Sequence, residues 1–73
     1  MKIYIIWIKE YDYESYYEHV IVANNRKEVV ELASKRHGDE GSKIWETAKI
    51  SKEGDYTGRK KKPFLLSSSF YAG

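Results

Sequence analysis

Two histidines, His19 and His37, are the side chains of this chain best suited to proton transfer, and neither has the neighbours a catalyst needs. An imidazole acts as a general base only beside a group it can reach and an acid that tunes it. His19 lies between Tyr17 and Ile21 in an alternating apolar run, where a satisfied structural histidine is the ordinary reading. His37 falls near the end of a helical register, where a positive imidazole interacts favourably with the helix dipole. His37, Asp39 and Glu40 form the one sequence cluster with a metal-binding flavour, but adjacent carboxylates after a helix read as a solvated turn. The chain has no cysteine, which removes thiolate chemistry and disulfides. The glycines at 38 and 41 are too close to form a phosphate loop, and they follow a helix instead of opening one. These residues predict no enzyme, no metal and no cofactor.

Binding chemistry is better represented. Seven tyrosines occur in 73 residues, four of them at Tyr11, Tyr13, Tyr16 and Tyr17. Tyrosine offers a broad apolar face with a polar tip at low entropic cost, which suits both cross-strand pairs and contact surfaces. Glu10, Asp12, Glu14 and Glu18 interleave with them. This acidic turn reads either as a solvated turn or as a surface that imitates the charge and stacking of a nucleic-acid strand. The opposite sign gathers at Arg59-Lys60-Lys61-Lys62, with Tyr56 just ahead. That loop is the candidate for nucleic acid, because lysine and arginine displace counterions from phosphates and an aromatic ring can stack on a base. Residues 1–50 carry eight Lys/Arg against nine Asp/Glu, a balance of −1, and residues 51–73 carry five against two, a balance of +3. The whole, at +2, is weakly basic for a dedicated nucleic-acid binder. The last segment, Ser67-Ser68-Ser69-Phe70-Tyr71, combines hydroxyls with aromatics. It reads either as the end of a strand or as the lining of a polar contact site.

Certain elements must hold these groups. Residues 2–10 predict a strand with apolar side chains on both faces, Ile3, Ile5 and Trp7 on one and Tyr4, Ile6 and Ile8 on the other, and hence a central position. A polar turn at 11–15 leads to a second strand at 16–23 and an antiparallel hairpin. Asn25 followed by Glu28 marks a capped helix start. The helix is expected from Arg26 to His37, with Gly38 as a left-handed C-terminal cap. Val29, Val30, Leu32 and Ala33 form a single apolar stripe of about 160° that fits one sheet face. A third strand is expected at 43–51, a long loop at 52–62, and a fourth strand from Phe64 to Tyr71 after Pro63. The resulting fold is α+β, in the order β-β-α-β-β, with one small antiparallel sheet and a single helix on one face, residues 1–73 forming one domain. The other face is left for solvent, a partner or a second copy. The longest apolar run, Ile3 to Ile8, is far short of the roughly 20 residues of a membrane span, and the chain reads as cytoplasmic.

Tyr11-Asp12-Tyr13, the segment Val20 to Leu32 and the closing Ser69-Phe70-Tyr71-Ala72-Gly73 together resemble small proteins of bacterial phages and mobile elements. The resemblance implies a non-catalytic protein that binds and inhibits host machinery, most often a defence system, as anti-CRISPR proteins do. Several such proteins are one helix on a small antiparallel sheet. The implied partner is a host protein or a small signalling ligand in the host cytoplasm. The contact residues expected on this reading are Tyr11, Asp12, Tyr13, Glu14, Tyr16, Ser69, Phe70 and Tyr71. The alternative is a nucleic-acid-binding module built on Tyr56, Arg59, Lys60, Lys61 and Lys62.

Overall fold

A computed structural model describes residues 1–72; Gly73, the last residue of the closing motif, lies outside them. The strands are β1 (Lys2–Trp7), β2 (Ser15–Ala23), β3 (Lys49–Asp55) and β4 (Phe64–Tyr71). One helix, α1 (Arg26–Lys35), and a 3₁₀ turn (Lys43–Thr47) lie between β2 and β3. The sheet order is β3-β1-β2-β4, and every neighbouring pair is antiparallel. The two-sided apolar pattern of β1 is explained by its central position. No helix among the described residues is long and apolar enough to cross a membrane.

The core lies between the sheet and α1. Tyr4, Ile6 and Ile8 from β1 and its extension meet Ile21 and Ala23 of β2, Val29 and Ala33 of α1, and Trp45 of the 3₁₀ turn. Each large apolar side chain buried here contributes about 1.5–3 kcal/mol. The helix begins as its sequence requires. Asn25 Oδ1 accepts from the Glu28 N–H at 3.0 Å, and Glu28 Oε1 accepts from the Asn24 N–H at 2.7 Å.

Several elements differ from the sequence expectation. The helix ends at Lys35, two residues early, with the Arg36 N–H donating to the Ala33 carbonyl. Gly38 is not a left-handed cap; among the described glycines Gly41 has the positive φ, at 80°. Position 38 needs glycine for space instead, because a Cβ there would sit 2.1 Å from the Glu14 carbonyl oxygen. The expected third strand is split. Its first half, with Ile44 and Trp45, is the 3₁₀ turn, and β3 proper extends into the expected loop as far as Asp55. A Lys2–Asp55 ion pair joins the start of β1 to the end of β3.

Three bulges interrupt the pairing, leaving Tyr17 of β2, Glu53 of β3 and Leu66 of β4 without a direct partner. An extra residue of this kind re-aims the side chains beyond it. The bulge at Leu66 therefore lets Leu65 face the core opposite Ile21, although Ser67, Ser69 and Tyr71 face the other way. Ile3, Ile5, Trp7 and Val20 line the sheet face away from α1 and are only half-buried. Val22 on that face is fully buried opposite Phe64, against which Tyr56 packs edge-on at 5.4 Å.

Candidate interaction surface

The β1–β2 connection and the end of β4 meet at one end of the sheet. Ser15 pairs with Tyr71, which brings the 11–14 segment over the last turn of β4. Tyr13 stacks on Tyr71 with ring centroids 5.5 Å apart, and Tyr11 meets the edge of Tyr71 at 5.6 Å. Tyr11 also stacks on Tyr17 at 4.7 Å. Offset stacks and edge contacts at these distances are the favoured aromatic geometries. Tyr13 remains 58% exposed, and Tyr11 and Tyr71 each 42%. Glu10, Asp12 and Glu14 around them are exposed, so the patch is both aromatic and acidic.

The loop that carries the patch is tied down from both sides. Asp12 Oδ1 accepts from the Tyr13 N–H at 3.0 Å, and the buried Ser15 hydroxyl donates to the Tyr13 carbonyl at 3.4 Å. Glu14 is left-handed, with φ 59°, and its carbonyl accepts from the Asp39 N–H at 2.8 Å. This contact is what excludes a side chain at Gly38. Glu40 completes the fastening. Its Oε1 accepts from the N–H groups of Tyr16 at 3.0 Å and Gly38 at 2.8 Å, and its Oε2 from Trp45 Nε1 at 3.1 Å. The turn carboxylate at position 40 is therefore a half-buried structural acceptor, and the neighbouring Asp39 alone is solvated.

The residues selected from sequence separate into two groups. Tyr11, Asp12, Tyr13, Glu14 and Tyr71 converge on the patch. Tyr16 and Phe70 lie on the other face, toward α1, packed edge-to-face at 4.6 Å, with the Arg36 guanidinium over the Tyr16 ring at 5.9 Å. Ser69 pairs with Glu18 beside the patch. The serine run does not line one site, since Ser68 turns to the core and Ser67 is exposed on the opposite face. Sequence spacing did not single out Tyr17 for the patch, because the bulge that sets its direction leaves no mark in the residue pattern.

At the far end of β4 the basic loop folds on itself. Lys60 lies with its ammonium 4.3 Å from the centroid of the Phe64 ring, and its N–H donates to the Tyr56 hydroxyl at 3.1 Å. A Cβ at Gly58 would strike the Tyr56 ring, so glycine permits this closure. Arg59, Lys61 and Lys62 are exposed. Trp45, Trp7 and Tyr71 do not join this surface: Trp45 is buried, and the other two are at the opposite end of the sheet. A shallow cleft of about 240 Å³ lies where Trp7, Ile8 and Lys9 face Ile44, Thr47 and Lys49.

The histidines are far apart in role. His37 is exposed, with Nδ1 3.1 Å from the Gly38 carbonyl. His19 is fully buried, its ring 4.6 Å from that of Trp45 and its Nδ1 2.6 Å from Ser68 Oγ. With the proton on Nε2, the Ser68 hydroxyl donates to Nδ1. Nε2 has no hydrogen-bond partner among the described residues. Burial pushes the His19 pKa below its usual value, against the opposing pull of the Arg36 backbone and the Glu40 carboxylate; the Arg36 charge adds a smaller downward push. No group of three or more metal-ligating side chains occurs among the described residues.

The neutral His19 makes folding pH-dependent. The unfolded imidazole takes a proton below about pH 6.5, whereas the folded one resists it, so the unfolded state binds more protons. Stability is therefore full above about pH 7 and declines on acidification, with a limiting slope of about 1.4 kcal/mol per pH unit. Urea titrations between neutral and mildly acidic pH should show this slope. It should vanish in His19→Gln and persist in His37→Gln; the reverse pattern would assign it to the exposed histidine.

The fold and surface define a small α+β domain that displays an acidic tyrosine patch on a four-stranded sheet. No family model, curated protein or solved structure matches the chain.

Proposed function

We propose that this protein is a non-catalytic inhibitor of phage type, which binds a host defence protein and occludes a basic, nucleic-acid-binding surface on it. The observation that carries the reading is the convergence of Tyr11, Tyr13 and Tyr71, from two distant segments, into one exposed patch whose loop also carries the exposed carboxylates of Asp12 and Glu14. Exposed tyrosines held rigid by their neighbours lose little entropy on binding and are typical anchors of protein interfaces. Carboxylates around them steer the patch toward positive charge and away from nucleic acid itself. A protein partner suits this surface better than a small signalling ligand, because the patch is made of exposed rings and the 240 Å³ cleft beside Trp7 is open to solvent.

The test is affinity capture from bacterial lysate at low salt, followed by competition. A retained host protein that no longer binds DNA or RNA while complexed supports the proposal. Tyr13→Ala with Tyr71→Ala should weaken that complex about 30-fold or more, as loss of one interface anchor of about 2 kcal/mol or above implies. Asp12→Asn with Glu14→Gln should slow association and flatten its salt dependence. Retention of bulk nucleic acid that elutes at moderate salt, and is lost when Lys60, Lys61 and Lys62 are all replaced by alanine, would replace the proposal with the basic-loop reading.

A further inference from the structure

We infer that β4 is a self-association edge, pairing antiparallel with β4 of a second copy about a two-fold axis at Ser68. The two edges of the sheet are built differently. β3 carries Lys49, Lys52, Glu53 and Asp55 among its seven residues, and each edge strand has one bulge, at Glu53 in β3 and at Leu66 in β4. Charges of this kind keep an edge from pairing with other strands. β4 spans eight residues, Phe-Leu-Leu-Ser-Ser-Ser-Phe-Tyr, and none is charged. Pairing about a two-fold axis sets each residue against itself or its mirror position, so a charged strand would oppose its own charge. β4 alone meets this requirement.

The side chains fit the same axis. Alternation places Leu66, Ser68 and Phe70 on the α1 side, with Ser67 and Ser69 on the other. An axis at Ser68 sets Leu66 opposite Phe70 of the second copy, twice, and Ser67 opposite its Ser69, also twice. Each pair shares a face, as antiparallel register demands. Leu66 and Phe70 are 55% and 41% exposed, and the pairing covers both. Ser68 at the centre is held by His19, which fixes the strand where the axis passes. The bulged Leu66 lies at the end of the paired stretch, and Ser67 to Phe70 beyond it are regular. A two-fold axis normal to the sheet keeps both helices on one face and yields a continuous eight-stranded sheet. The inference is independent of what the tyrosine patch binds.

Sedimentation velocity on the intact chain, from low to high micromolar concentration, tests it. The wild type should dimerise. S67K with S69K should weaken dimerisation about tenfold or more, because the ammonium introduced at position 67 then faces the one at position 69 of the second copy, in two symmetric places. Within its own chain the new lysine at position 69 meets Glu18, so the fold is not opposed. S67E with S69K restores opposite charges across the axis and should restore the dimer. Leu66→Ala, which trims one exposed side chain, should weaken association severalfold. A wild type that stays monomeric throughout would overturn the inference. So would a folded S67K/S69K chain that dimerises like the wild type, which would point to the half-buried face of Ile3, Ile5 and Trp7, or a folded S67E/S69K chain that stays monomeric.

Discussion

Replacing Trp45 with alanine is expected to remove roughly half of the fold's stability while leaving most molecules folded. Trp45 is the largest fully buried side chain, and it lies under α1 against His19. Large-to-small substitution of a buried tryptophan costs about 3–5 kcal/mol. A domain of this length has roughly 4–11 kcal/mol in total, so the loss is a large fraction of it and should appear as a large drop in the unfolding midpoint. The same substitution deprives Glu40 of the indole N–H it accepts from. Trp45→Phe separates the two effects: it keeps most of the volume, removes the hydrogen bond to a charged acceptor and should lose about 1.5–3 kcal/mol. Urea unfolding followed by far-UV circular dichroism gives both numbers. An alanine variant with a near-native midpoint would mean that the 3₁₀ turn does not seal the core.

Glu40→Ala should cost nearly as much while changing the core volume little. One carboxylate satisfies three donors from three parts of the chain: the Tyr16 N–H in β2, the Gly38 N–H after the helix, and Trp45 Nε1. A hydrogen bond to a charged group is worth about 1.5–3 kcal/mol, and donors stranded in a half-buried site lose most of that. The three are coupled, so the expected loss is about 3–5 kcal/mol and less than their sum. Glu40→Gln is the sharper variant. Its amide nitrogen must confront a donor whichever way the side chain turns, so an isosteric swap should still lose about half of the effect. Hydrogen exchange at the Tyr16 and Gly38 amides should accelerate in both variants. Unchanged protection there would show that the loop is held by the Asp39–Glu14 backbone contact alone.

The order of elements and the helix start could be read from residues alone, because local rules set them. Asn25 and Glu28 cap the helix within one turn, Pro63 precedes a run of strand formers, and the two-sided apolar pattern of β1 has meaning only inside a sheet. What could not be read was set by distant contacts. Ile44 and Trp45 have strand composition, yet the indole is drawn beneath α1 by Glu40 and closes a 3₁₀ turn. Gly38 has the ordinary position of a helix cap, but the space it leaves serves Glu14, 24 residues earlier. The patch was half legible. Tyr11, Tyr13 and Tyr71 could be chosen by type, but their contact depends on the pairing of β2 with β4; Phe70 leaves the patch by simple alternation with Tyr71, and Tyr16 by the bulge at Tyr17. Bulges follow from the mismatch between two strands and leave no periodic trace in either one.

The central place of β1 bears on how the chain comes together during synthesis. β1 is made first, yet one of its neighbours is β3, where Lys2 lies opposite Asp55, and the sheet closes only when β4 reaches β2 from the far edge. Until then the nascent hairpin of β1 and β2 has both outer edges unpaired and an apolar surface on each side. The two closures that complete it bridge long stretches of chain, and such non-local pairings slow folding relative to a helical bundle of the same length. The interval in which this sheet is most exposed to aggregation or proteolysis is therefore the one before β3 and β4 have joined the hairpin.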